Sequence, residues 1–260
     1  MGASIAANCS GSCFWCSDGR SAATRARADT VGLIATTSLT ELAERCDTIV
    51  SVCPPANALA VAEQIAATGY DGLYVDANAI APATTTRIGD LFTRYVDGGI
   101  VGPPATSTGT TRLYLSGDEA EAVSDRWDGS LIDVRAIEGG VGAASAVKML
   151  FAAWGKHNAA LMLTLNAVAE AYGVTDAIRD EWTTSRPDFV SQSEAAARGT
   201  APKAWRFEGE MHEIAATFDA VGLPPEFHRG AAEVFRRLAG FKDGARPADL
   251  DQVVAALLDR

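Results

Sequence analysis

The sequence predicts an α/β fold, a doubly wound parallel sheet followed by an all-α region, and three observations carry that prediction. Short apolar runs alternate with amphipathic segments of helical period from Cys13 to Ala136, which is the signature of βαβ units covered on both faces. A glycine-rich turn, Gly139-Gly140-Val141-Gly142, closes that alternation. Beyond Lys148 no strand pattern returns, and helical segments are broken only at Gly173, Pro187, Gly199–Pro202, Gly222–Pro225 and Gly240–Pro247. The expected organisation is therefore residues 1–140 as a Rossmann-like doubly wound domain and residues 141–260 as a helical domain.

Taken in order, the chain opens at Met1-Gly2-Ala3-Ser4-Ile5-Ala6-Ala7-Asn8 as a helix N-terminus. A strand is expected at Cys13–Cys16, then a helix at Ser21–Asp29 whose first residue is a good N-cap. Strands at Gly32–Ala35, Thr48–Cys53 and Leu73–Asp76 alternate with helices at Leu39–Arg45 and Ala56–Ala67. Pro82 suits the first turn of a helix running to Thr93. Strands at Tyr95–Ile100, Arg112–Ser116 and Ile132–Ala136 follow, with a helix at Glu119–Trp127 among them. A long helix then runs from Ala143 to about Ala171.

Composition narrows the function. The 260 residues carry 22 basic and 33 acidic side chains, a net charge of −11, which opposes attraction to phosphate backbones or anionic membranes. Nucleic acid is excluded as a partner on this ground. The most apolar stretch, Met149–Val168, is interrupted by Lys156, His157 and Asn158, so no membrane span is expected. No secretory leader pattern opens the chain, and a cytoplasmic location follows as the expectation. Five cysteines include Cys13-Phe14-Trp15-Cys16, but no second pair supplies the rest of a zinc site and residues three apart on a strand face opposite ways, so no metal is expected.

A doubly wound sheet binds its ligand beyond the carboxyl ends of its strands, and those loops hold the candidate residues. Cys53-Pro54-Pro55 forms a rigid apolar ledge beside which a flat ring can lie; it also reads as a plain strand breaker. Asn78, after the strand Leu73–Asp76, can donate to and accept from a ligand, or cap the helix at Pro82. Gly98 and Gly99 permit close approach of backbone amides to a small molecule. The amides near Gly142 open a helix and can hold a carboxylate. Lys148 stands in the first turns of that helix within a segment that otherwise reads as core. Desolvation lowers a lysine pKa toward the range where the amine exchanges protons with a substrate oxygen.

A dinucleotide domain should open with a strand and a Gly-x-Gly-x-x-Gly turn, and here only a last glycine, Gly2, stands in place. With Gly2 as the third glycine, an upstream strand is missing from the pattern and Cys13–Cys16 becomes the second strand. Its end, Ser17-Asp18-Gly19-Arg20-Ser21, is then where the adenosine ribose is recognised. Arg20 with Ser17 and Ser21 suits a 2′-phosphate and favours NADP; Asp18 keeps NAD open.

This order of motifs resembles the β-hydroxyacid dehydrogenases related to 6-phosphogluconate and 3-hydroxyisobutyrate dehydrogenases, over most of the chain. The resemblance rests on Met1-Gly2, Cys53-Pro54-Pro55, Asp76-Ala77-Asn78-Ala79-Ile80-Ala81-Pro82, Tyr95-Val96-Asp97-Gly98-Gly99-Ile100, and Gly140-Val141-Gly142 with Lys148. Gly102-Pro103-Pro104, Thr110 through Gly117 and Lys148 through Lys156 are similar to the bacterial subgroup with a DUF1932-type helical C-terminal domain. The resemblance implies hydride transfer between a nicotinamide and a small, anionic hydroxy acid or related carbonyl compound. Lys148 would exchange the hydroxyl proton, and Asn78, Gly98 and Gly99 would orient substrate and nicotinamide in a homodimeric enzyme. The sequence departs from the family at Ala152, where an asparagine is usual, and at Val101-Gly102-Pro103, where Ser-Gly-Gly is usual. Two alternatives stay open: an NADPH-dependent imine reductase, and a truncated, catalytically impaired dinucleotide-binding protein.

Overall fold

The computed structural model describes residues 1–242, 244 and 248–259. They form two compact units, Met1–Met149 and Leu150–Arg260.

The first unit runs α1 (Gly2–Ala7), β1 (Phe14–Cys16), α2 (Ala22–Thr30), β2 (Ile34–Thr36), α3 (Leu39–Arg45), β3 (Thr48–Ser51), α4 (Ala58–Ala66), β4 (Leu73–Asp76), α5 (Pro82–Gly89), β5 (Tyr95–Val101), β6 (Thr111–Ser116), α6 (Ala120–Ser124) and β7 (Ile132–Ala136). The five strands β3-β4-β5-β6-β7 make one sheet in that order, while β1 and β2 pair only with each other. Thus β1 and β3 each present an edge with no neighbouring strand. Local chemistry sets the boundaries. Ser21 and Ser38 cap α2 and α3 by accepting the amides of Thr24 and Glu41, and Pro82 opens α5 where its missing N–H costs nothing.

The sheet is mixed rather than wholly parallel. β5 and β6 run antiparallel, pairing Gly99 with Tyr114 and Val101 with Arg112, whereas the other strand pairs are parallel. Residues 102–110 between them are too few for the crossover helix that a parallel return needs, and Gly102, at φ +113, turns the chain back. The period of two along each strand then sorts the core. Leu73, Val75, Val96, Leu113 and Leu115 pack toward Ile5, Val123 and Trp127 on one face. Tyr74 and Ile49 pack toward Ala62, Ile65 and Ile88 of α4 and α5 on the other.

The helix α7 (Ala143–Ala171) follows the span expected for it, with its first turns in unit one and the remainder in unit two. Unit two continues as α8 (Thr175–Ser185), α9 (Phe189–Thr200), α10 (Ala204–Asp219), α11 (Glu226–Arg237) and α12 (Leu250–Leu258). Breaks fall at Gly173, Pro187 and Gly222–Pro225 as expected. The Gly199–Pro202 break is only a short 3-10 turn between α9 and α10, and that at Gly240–Pro247 includes residues outside those described. No described helix is long and apolar enough to cross a membrane.

Candidate active site

The polar centre of unit one is Asp97, fully buried in the middle of the apolar strand β5. A carboxylate there must be compensated in full, and five donors converge on it. Oδ2 accepts from Ser116 Oγ (3.1 Å) and from the backbone amides of Gly142 (3.0 Å) and Ser145 (2.9 Å). Oδ1 accepts from Ser145 Oγ (2.6 Å) and Thr85 Oγ1 (3.2 Å). Ser116 Oγ in turn accepts the amide of Ala144. The strand therefore caps the N-terminus of α7 with a full negative charge, where the helix dipole is positive.

The amides of Gly142 and Ser145, which open the helix, are engaged by Asp97. Gly142 is glycine because its φ of +102 is left-handed and because a Cβ would stand 3.3 Å from that of Pro82.

Gly98 and Gly99 admit close packing. A Cβ on Gly99 would lie 2.5 Å from the carbonyl oxygen of Ala144 and 3.0 Å from Lys148 Cβ; one on Gly98 would lie 2.9 Å from the Asp76 carbonyl oxygen. The bare backbone of β5 lets α7 rest directly upon it. Lys148 thus has its stem set by the strand through Gly99 and its helix set by Asp97. Its side chain is half-buried.

Asn78 is buried, and its side chain ties two strand ends together instead of facing a ligand or capping α5. Its Oδ1 accepts the amide of Cys53 (2.6 Å), and its Nδ2 donates to Ser51 Oγ (3.0 Å) and Asp76 Oδ2 (3.0 Å). The Asp76 carboxyl also accepts the Asn78 amide. Burial, with a smaller push from the neighbouring Asp97, raises Asp76 to about 6 against the hydrogen bonds from Asn78. Asp76 and Asp97 sit opposite each other in the β4–β5 register. The Cys53-Pro54-Pro55 ledge after β3 is fixed in this way by Asn78.

Of the residues expected at a dinucleotide, Gly2 and Arg20 lie near the end of β3 and its ledge. Gly2, opening α1, stands where a Cβ would touch Val52 at 3.6 Å. Burial pushes the Cys53 thiol up to about 11, and the Arg20 guanidinium draws it partly back, so Arg20 is within electrostatic reach of the ledge. Ser17 is anchored after β1, its amide and Oγ both donating to the Thr36 carbonyl oxygen. Ser21 is engaged as the cap of α2, and Arg20 and Ser21 are exposed. The carboxyl ends of β1 and β3 thereby carry a cation and a rigid apolar ledge, with Gly2 at the start of α1 beside Val52. That combination fits a nucleotide with a charged phosphate and a flat ring.

Two features have a weaker signal in the sequence. Asp97 stands among glycines, and only its being a lone acidic residue inside an apolar strand announces a buried charge that other groups must satisfy. Lys156, which interrupts the apolar stretch of α7, is held inside unit two. Its ammonium lies 2.9 Å from Glu210 Oε1 and 4.7 Å over the Phe207 ring.

Residues 169–238 match the family described as a domain of unknown function, DUF1932. A curated uncharacterised 28.5 kDa protein of Methanothermus fervidus is 28% identical over 62% of this chain; the match spans 63% of that protein, a little under two thirds. A conserved hypothetical protein from Sinorhizobium meliloti has the same fold, with a TM-score of 0.70, 23% identity, and coverage of 98% of this chain and 92% of that one. The 3-hydroxyisobutyrate dehydrogenase of Mycobacterium tuberculosis, solved with L-serine, superposes at a TM-score of 0.67 with 16% identity over 100% and 96% of the two chains. A reductive aminase from Aspergillus terreus, solved with NADPH and ethyl levulinate, reaches 0.55 with 15% identity over 98% and 95%.

Proposed function

From the fold of the 3-hydroxyacid dehydrogenases joined to a DUF1932 segment, we propose that this chain is an NADP-dependent oxidoreductase acting on a small, anionic hydroxy acid or the related carbonyl compound. The observation that carries the reading is the placement of Lys148: one lysine on a helix that a buried carboxylate caps and a bare strand supports, both contacts made without a flexible intermediary. A group that exchanges protons with a reacting oxygen needs its position fixed before the reaction, since geometry governs proton transfer before pKa does.

In this reading Lys148 gives a proton to the carbonyl oxygen during reduction and takes it from the hydroxyl during oxidation. Asp97 and Gly99 are positioning residues that act through α7. Gly2, Ser17, Arg20, Ser21 and the Cys53-Pro54-Pro55 ledge hold the dinucleotide, with Arg20 on the 2′-phosphate; Asn78 acts through the ledge that it fixes. The nicotinamide, when bound, supplies the hydride donor or acceptor that no amino-acid side chain provides.

The test is turnover of small hydroxy acids, keto acids and imines with NADP(H) and NAD(H), in the natural protein and in Lys148→Ala. Loss of an acid–base group costs about 10²–10⁴-fold in kcat. The expected result is that loss with dinucleotide affinity unchanged. Full turnover by Lys148→Ala overturns the lysine's role, and an enzyme that reduces imines but no carbonyl compound overturns the substrate class.

A further inference from the structure

Three of the five cysteines stand close together in unit one. Cys9 follows α1, Cys13 immediately precedes β1 and Cys46 comes just before β3, and all three are free and half-buried. Cys13 is the centre of the group. Its thiol is within hydrogen-bonding reach of the Cys9 thiol, whereas Cys46 feels it only as a charge. Gly11, at φ +86, folds the intervening chain back and lets the Cys9 and Cys13 side chains face each other. Cys13 Sγ also donates to the Ala6 carbonyl oxygen at 3.4 Å, which directs it at the end of α1. The two partners belong to different parts of the unit. Cys9 packs against the core of the five-stranded sheet, and the chain around it is pinned there. Trp127 Nε1 donates to the Ile5 carbonyl oxygen, Asn8 Oδ1 accepts the Leu131 amide, and the Ser10 amide donates to the Arg126 carbonyl oxygen. Cys13 instead leads into β1, which pairs only with β2.

We propose that Cys9 and Cys13 are a reversible redox pair: a peroxide converts the two thiols into a disulfide that fastens β1 to the end of α1, and a dithiol reductant reopens it. Proximity selects the pair, since a disulfide forms only between sulfurs that the backbone already holds close. In the first step the Cys13 sulfur attacks one peroxide oxygen and the O–O bond breaks. The departing hydroxide takes up the Cys13 proton and leaves as water, and Cys13 becomes a sulfenic acid. The Cys9 sulfur then attacks the Cys13 sulfur. The S–S bond forms as the S–O bond breaks, and hydroxide leaves with the Cys9 proton as a second water. Two electrons pass from the thiols to the peroxide, so no further reactant is needed. Burial, with the neighbouring Cys13, pushes the Cys9 thiol up to about 11 and the Arg126 guanidinium draws it partly back, which suits Cys9 to the second, resolving step. A bridge between partly exposed sulfurs is of the labile kind that reductants reopen, which separates a switch from a permanent brace.

Oxidation of the full chain by hydrogen peroxide tests this. The expected loss is two of the five free thiols, restored by dithiothreitol. After alkylation of the remaining thiols and digestion with trypsin, residues 1–20 are expected as one peptide with an internal disulfide and a single alkyl group. Residues 46–87 are expected as a separate peptide with both of its cysteines alkylated. Cys16→Ser is expected to keep the disulfide, and Cys9→Ser and Cys13→Ser to lose it. Should a variant not fold, fragmentation of the natural peptide between Cys13 and Cys16 locates the bridge instead. Hydrogen exchange in residues 14–36 is expected to slow on oxidation. Five thiols remaining, a cross-link between the two peptides, or added oxygen in place of the bridge overturns the pair, as does a disulfide that survives Cys13→Ser. A Cys9–Cys13 disulfide that leaves exchange in residues 14–36 unchanged overturns the fastening of β1.

Discussion

Replacing Asp97 by asparagine removes the charge on which five donors converge and sets a carboxamide NH₂ among them. At least two of those donors then lose their acceptor in a site without water access, at about 1–3 kcal/mol each. Chemical unfolding of Asp97→Asn is expected to show a loss of about 3 kcal/mol or more, with kcat reduced because α7 loses its cap. Asp76 behaves in the opposite sense. Its carboxyl is raised from 3.8 to about 6, so the folded chain binds this proton more tightly than the unfolded chain does. The stabilisation is complete near pH 4 and below, and is lost as the pH rises through about 6. Asp76→Asn, which cannot titrate, is expected to lack that fall, a difference of up to about 3 kcal/mol between the two proteins' unfolding profiles from pH 4 to 7. Both carboxylates show why the site was half legible in the sequence. Asn78, the prolines and the glycines announce themselves by residue type. What they do depends on Ser51, Ser116 and Ser145, ordinary serines that long-range folding alone brings to the carboxylates and to Asn78.

At the scale of elements, the sequence was most informative where a local rule decides. Ser21 and Ser38 are good caps wherever they precede a helix, Pro82 opens α5, and the short apolar run Leu73–Asp76 and the alternation in Ile132–Ala136 mark strands to the residue. The direction of β6 was not legible in this way, since an apolar run looks the same parallel or antiparallel, and only the short connection after β5 distinguishes them. The helical unit holds a second feature hidden from pattern. His157 on α7 and His228 on α11 have ring centroids 5.6 Å apart, packed with Phe218 and Phe227, and neither nitrogen of His228 has a hydrogen-bond partner. Burial lowers both imidazoles, and His157 lowers His228 further. The unfolded chain therefore binds protons that the folded chain refuses, and stability is whole above the ordinary histidine value of about 6.5 and declines as the pH falls below it. His228→Phe is expected to raise the melting temperature of unit two, on the order of 1 kcal/mol at neutral pH through removal of unpaired nitrogens, and by more at pH 5.

For the whole molecule, composition excluded more than it identified: a charge of −11 argues against nucleic acid but does not distinguish one soluble substrate from another. The ligand is expected to read out at Arg20. Arg20→Ala should weaken NADPH binding about 10–100-fold, the worth of a hydrogen bond to a charged group, and leave NADH nearly unchanged, as measured by thermal shift with each dinucleotide. Equal losses for both would move the 2′-phosphate elsewhere.

The separation of β1 and β2 from the five-stranded sheet has a consequence for that readout. No strand-to-strand hydrogen bond joins the two sheets, and each strand of the pair is three residues long. Cooperativity in a sheet passes along its ladder, so the segment from Phe14 to Thr36 is expected to exchange its amide protons faster than β3–β7, which native-state hydrogen exchange checks. Ser17, Arg20 and Ser21 all stand on it. The residues proposed to choose between dinucleotides therefore stand outside the ladder of the larger sheet, and a ligand that bridged them to the ledge at Cys53 would tie the two sheets together.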